Sequence, residues 1–159
     1  VDFGITDTLG TVLAVGFYNY QNLAAAGDNG LNEQATDAGN SGAAGALTFE
    51  YRIIDIVSKW KLEIAEMPLG IWFNYAINTA SDAGATKLTE DTAWGIGAKL
   101  GKAKKKGSWE LGLSYKQIEA DAVVAAFNDS DFLGTNREGI TVGGKYQLLD
   151  NMSLGLTVI

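Results

Sequence analysis

The sequence predicts an all-β chain: an antiparallel up-and-down transmembrane β-barrel segment of about eight strands, part of a larger barrel. Three observations predict it. Apolar residues alternate with period two in segment after segment, and the connections alternate between short and long. The chain also balances 47% hydrophobic against 19% charged residues without an apolar run long enough for a membrane helix. A crossing helix needs about 20 apolar residues, whereas a crossing strand needs about 10 and turns half of them toward water.

The strands follow in order. Val1, Phe3 and Ile5 against Asp2, Gly4 and Thr6 read as the end of one strand. Residues 11–22 set Leu13, Val15 and Phe17 opposite Ala14, Gly16, Tyr18 and Tyr20, which leaves the identity of the apolar face open there. Residues 52–64 place Ile54, Ile56, Trp60, Leu62 and Ile64 on one side, with Asp55, Lys59, Lys61 and Glu63 on the other. In residues 69–78 the series Leu69, Ile71, Phe73, Tyr75, Ile77 is wholly apolar or aromatic, while Gly70, Trp72, Asn74, Ala76 and Asn78 are mainly small or polar. The same rule governs 92–102 (Trp94, Ile96, Ala98, Leu100), 108–117 (Trp109, Leu111, Leu113, Tyr115), 140–149 (Ile140, Val142, Tyr146, Leu148) and 152–158 (Met152, Leu154, Leu156, Val158). Strict period two is the signature of a strand with two unlike faces. The second face is rich in Gly and small polar residues, and Trp60, Trp94, Trp109 and Tyr115 recur near strand ends, where a barrel crosses the headgroup region. These four are the candidate aromatic girdle.

Short turns are expected at 7–10, 65–68, 103–107 and 149–151, and long loops at about 23–49, 79–91 and 118–139. Antiparallel strands with that alternation bring every short turn to one rim and every long loop to the other. The last strand then runs toward the long-loop rim, which predicts at least one further closing strand and makes residues 1–159 a single interior segment of a barrel. The long-loop segments are acidic, with Asp28, Glu33, Asp37, Asp82, Glu90, Glu119, Asp121, Asp129, Asp131 and Glu138 against Lys87 and Arg137. The turn at 103–107 carries Lys104, Lys105 and Lys106 beside Lys102, as a solvated hairpin would.

Composition bounds the chemistry. The chain has no Cys and no His, which removes disulfides, thiolate metal sites, the usual general base and the Ser-His-Asp arrangement. Enzymatic activity is not expected. A net charge of −7 speaks against a nucleic-acid partner, whose phosphates call for a basic face.

The stretch DTAWGIGAKLGKAKKKGSWELGLSYKQIEADAVVAAFNDSDF, followed by the Gly-rich GITVGGKYQLLDNMSLGLT, resembles the bacterial outer-membrane proteins called putative porins. MPLGIWFNYAINT is similar to their preceding strand, so the likeness covers roughly residue 52 onward, with weaker support in VLAVGFYNYQNL. Its most specific part is EADAVVAAFNDSDF, which alternation alone does not produce. The resemblance implies a single-chain barrel integral to the outer membrane of a Gram-negative bacterium, with a helical or coiled segment near the N-terminus and a final strand ending in an aromatic residue. This chain has neither feature, in keeping with an interior segment.

Candidate residues follow from the strand faces. The expected pore wall consists of Arg52, Asp55, Lys59, Lys61, Glu63, Asn74, Lys99, Glu110, Ser114, Lys116, Lys145 and Gln147. A lipid-facing charge costs about 2–4 kcal/mol at the bilayer midplane, so reversing the faces would force several Lys into lipid. Asp121, Asp129 and Asp131 are candidates for a loop constriction, and residues 118–127 could form a short amphipathic helix with Ile118, Ala122, Ala125 and Ala126 on one side. Such a segment either folds into the pore or caps the rim. Gly95, Gly97 and Gly101-Lys102 miss the P-loop spacing and lie inside a strand, and nothing in sequence brings Glu63 and Glu110 together as a glycosidase pair. No cofactor is expected beyond a divalent cation held loosely by the acidic loops, for which a solvated turn is the alternative. Expected partners are outer-membrane lipid and small hydrophilic solutes or ions, with a homo-oligomer, a trimer by analogy. Passive diffusion through a water-filled barrel is the leading function. Its rivals are a soluble β-barrel binding a small hydrophobic ligand and a structural surface β-protein.

Overall fold

The computed structural model describes residues 2–4, 10–24, 30–43, 45–80, 89–128 and 134–159. Alternating β-branched and aromatic residues fit a pleated surface, and each alternating segment forms a strand. The strands are β1 (Asp2–Gly4), β2 (Gly10–Tyr20), β3 (Gly42–Ala43), β4 (Ala46–Leu47), β5 (Tyr51–Ile64), β6 (Met67–Asn78), β7 (Thr92–Gly101), β8 (Trp109–Ile118), β9 (Arg137–Leu149) and β10 (Met152–Val158). Eight of them make one sheet in the order β1-β2-β5-β6-β7-β8-β9-β10, every pair antiparallel, while β3 and β4 form a separate small hairpin. Among the described residues β1 and β10 do not pair, so the sheet is open.

Register decides which residues share a face, because a one-residue slip would exchange the two faces. From β2 to β9 the pairing runs without a shift, and one irregularity occurs between Met152 and Ser153. One row across the sheet therefore reads Leu13, Ser58, Phe73, Ile96, Tyr115, Ile140, and the next Trp60, Ile71, Ala98, Leu113, Val142, Val158. The reverse face carries the rows Lys59, Trp72, Gly97, Ser114, Thr141 and Val57, Asn74, Gly95, Lys116, Gly139. For β2 the register settles the open question: Leu13, Val15 and Phe17 belong with the apolar face.

The meander puts the turns β5-β6, β7-β8 and β9-β10 at one end and the loops β2-β5, β6-β7 and β8-β9 at the other. The turn expected at 7–10 lies almost wholly outside the described residues. The tightest hairpin is Ala65-Glu66, whose φ values of 50° and 63° make a two-residue turn of the primed type that matches strand twist.

The β2-β5 loop holds an element that the sequence pattern does not announce: the helix α1 (Gly30–Asp37). It ends in a Schellman motif. Gly39, at φ +114°, donates to the Thr36 carbonyl, and Asn40 donates to the Ala35 carbonyl. The expected helix over 118–127 is not formed. After Ile118 its backbone runs through turns and bends, with one 3-10 turn at Ala125–Phe127. Asn40 claims the backbone groups that a helix would have used: its side chain donates to the carbonyls of Ala120 and Val123 and accepts from the Ala125 amide at 2.8 Å.

Candidate functional site

The core lies on the side of the sheet where a pattern reader would look last. Tyr51, Ile53, Ala76, Ala93 and Ile118 are buried together with Ala35, Leu47, Ala122 and Val124 from the loops. The strand residues in that cluster share the face of Asp55, Asn74 and Lys116. The long loops thus fold over the polar face at its loop end. The apolar face stays uncovered: Val15 is 69% exposed, Leu113 58% and Leu156 73%.

Buried polar groups lock the loops in place. Asp121, 1% exposed, accepts from the Tyr51 hydroxyl at 2.8 Å and from the Ser41 amide at 3.0 Å. Asn78 donates to the Asp121 carbonyl and to that of Glu50, and its own oxygen accepts from the Arg52 amide. A buried acceptor or donor left unpaired costs about 1–3 kcal/mol, so these bonds hold the loops in place. Gly39 and Gly134 face each other across the same junction. A β-carbon on Gly134 would stand 2.0 Å from the Ala38 carbonyl oxygen, and one on Gly39 2.4 Å from that of Thr135.

Most of the candidate wall residues fall on the polar face. Asp55, Lys59, Lys61 and Glu63 share it with Asn74, Lys99, Glu110, Ser114, Lys116, Lys145 and Gln147. Arg52 does not. It precedes Ile54 by two residues in an unbroken register, so it stands on the apolar face at the loop end, and its inclusion in the wall is corrected. Arg137, opposite Ile118, occupies the polar face at that end instead. Lys99 and Glu110 form an ion pair at 3.0 Å, and Glu110 also sits directly across from Lys145. Glu63 and Glu110 are three strand spacings apart, about 14 Å, which is beyond the separation of a glycosidase carboxylate pair.

Asp121 is a structural acceptor within the packed loops and does not project into open space, which corrects its placement as a constriction residue. Asp129 and Asp131 lie outside the described residues. Among the described residues no three acidic side chains converge as metal ligands.

The four girdle candidates all lie on the apolar face. Trp109 stands at the turn end and Trp60 shares the mid-sheet row of Leu113, away from a strand end, while Trp94 and Tyr115 stand toward the loop end in ring contact at 5.1 Å. Tyr75 pairs with Trp94 and Tyr146 with Trp109, aromatic neighbours that appear only once the register is known. At about 3.3 Å per residue and a tilt of about 40°, the 10 residues of β7 or β8 would rise about 25 Å, the height of a membrane-barrel apolar band.

Trp72 is the residue that sequence reasoning passed over. It is the one large aromatic on the polar face of β6, and a β-carbon on Gly97 or Gly95 would stand 2.4 or 3.0 Å from its indole. The two glycines therefore seat a flat ring against the sheet, which explains the spacing that only weakly suggested a phosphate loop.

A meander of antiparallel strands with one uncovered apolar face, one charged face and loops folded over the charged side defines a class: an all-β sheet protein of membrane-barrel patterning. The family follows from comparison, since the family described as Putative porin matches residues 17–159. The chain belongs to that family. Comparison with curated proteins and with solved structures returned no match.

Proposed function

We propose that the chain forms part of the wall, with its inward loops, of a water-filled outer-membrane β-barrel through which ions and small hydrophilic solutes diffuse. The observation that carries this reading is the segregation of faces across the sheet, with the apolar face left bare. An apolar patch of that extent is rare on a soluble monomer, whereas lipid covers it at no cost.

The loops favour the same reading over a soluble barrel with a hydrophobic interior. They pack on the polar face, which a soluble barrel would turn outward to water, and in a pore they occupy one end of the lumen and narrow it. Lys59, Lys61, Lys99, Lys116, Lys145 and Arg137 face Asp55, Glu63 and Glu110 along the wall, so the wall favours anions modestly. Planar-bilayer conductance of the full-length protein in asymmetric salt tests the proposal. Stepwise conductance is expected, and its reversal potential reads the balance between the basic wall and the acidic loops, which pull in opposite directions. A silent bilayer with correctly folded protein would refute it.

A further inference from the structure

On the polar face, beside the folded loops, lies an open cavity of about 370 Å³ bordered by Tyr18, Asp55, Trp72, Asn74, Lys116 and Phe127. We propose that it is a subsite for a pyranose ring, so that the wall binds neutral oligosaccharides. The inference rests on reading the polar face as the pore wall and adds a solute class to it.

The floor is the first reason. One face of the Trp72 indole lies against Gly97 at its pyrrole end and Gly95 at its benzene end. The ring itself borders the cavity. The residue is half-buried, so part of the ring stays open to the cavity. Tyr18 lies over Gly16 in the same manner, with its ring 3.0 Å from where a β-carbon would stand. Phe127 stacks on Tyr20 at 5.8 Å and places a further ring at the border. Bare glycine beneath flat rings makes an aromatic surface parallel to the path of a solute along the wall.

The rim is the second reason. A pyranose has an apolar C–H face suited to an aromatic plane and a circle of hydroxyls, each both donor and acceptor. Asp55 offers an acceptor, Lys116 carries donors, and Asn74 holds Asp55 in place through its amide while keeping a carbonyl oxygen. The carboxylate and the ammonium cancel in charge, so the cavity has no net attraction for an ion. A purely apolar ligand would strip water from both charges without replacing it. At about 370 Å³ the cavity is at the small end of ligand sites, large enough for one ring and its substituents.

The test uses the full-length protein in planar bilayers, with maltotetraose and cellotetraose as probes and sorbitol, an open-chain polyol, as the control. Brief closures with millimolar half-blocking concentration are expected from a tetrasaccharide and not from sorbitol. Trp72→Ala should still give open channels but raise that concentration roughly tenfold, the scale of a lost ring contact. Gly97→Ala, which lifts the indole without removing it, should weaken block in the same direction, and Trp72→Phe should retain most of it. The proposal is overturned if neither tetrasaccharide blocks, if sorbitol blocks equally, or if Trp72→Ala leaves block unchanged. Tryptophan fluorescence in detergent micelles separates this failure from that of the pore. A saturable Trp72-dependent change without conductance keeps the sugar site and sinks the pore, whereas conductance with neither block nor fluorescence change sinks the sugar site alone.

Discussion

Replacing Leu113 by Arg separates a lipid-facing from a water-facing apolar surface in one measurement. Leu113 lies in the middle of β8, between Trp109 and Tyr115, in a row with Ile71, Ala98 and Val142. It is already 58% exposed in the isolated chain, so in water its loss removes little burial and an Arg there changes stability by less than about 0.5 kcal/mol. In a bilayer the same guanidinium near midplane costs about 2–4 kcal/mol. The neighbouring Ser114 points to the other face, pairs with Gly97 and Thr141, and should accept Arg almost freely. Urea titration of folding into lipid vesicles reads the difference. With a slope of about 2 kcal/mol per molar, Leu113→Arg should lower the midpoint by roughly 1–2 M, and Ser114→Arg by a small fraction of that. Equal shifts, or a larger shift for Ser114→Arg, would refute the assignment of faces.

Further outcomes follow from the loops, turns and wall charges. Asp121→Ala leaves the Tyr51 hydroxyl and the Ser41 amide without an acceptor, and should cost about 1–3 kcal/mol in the loop assembly, measured as faster proteolysis of the loops with the strands intact. Asn40→Leu strips three backbone groups of 119–128 of their partner and should act in the same direction, with higher open conductance. Changing Ala65-Glu66 to Asn-Gly puts the residue types that best tolerate positive φ at both turn positions and should stabilise the β5-β6 hairpin by roughly 1 kcal/mol in thermal unfolding. Glu110→Gln breaks a partly exposed ion pair, so folding should change by less than about 1 kcal/mol, while the reversal potential shifts in the anion direction.

The strands were legible because period two is a local signal that tertiary packing here reinforces. Residues such as Leu69 to Ile77 read the same in sequence and in register. The internal structure of the loops was not legible. Helix α1 is short and polar, and its buried positions are Asn32 and Ala35, neither of which marks an amphipathic stripe. Residues 118–127 are compatible with a helix by the spacing of their alanines, whereas Asn40, far away in sequence, supplies the hydrogen bonds that hold the segment in its turns. Trp72 was hidden by its neighbours: an aromatic on a nominally polar face looks like noise until Gly95 and Gly97 are brought beside it by pairing. Arg52 was misassigned where the alternation, counted from Ile54, already excluded it from the wall.

The chain contains no cysteine, which makes single-cysteine scanning of β8 in lipid vesicles the most direct test of the two-faced wall. A membrane-impermeant charged thiol reagent should label cysteines at Glu110, Gly112, Ser114 and Lys116, and spare those at Leu111, Leu113 and Tyr115. Labelling without alternation, or alternation of the opposite phase, would contradict the account.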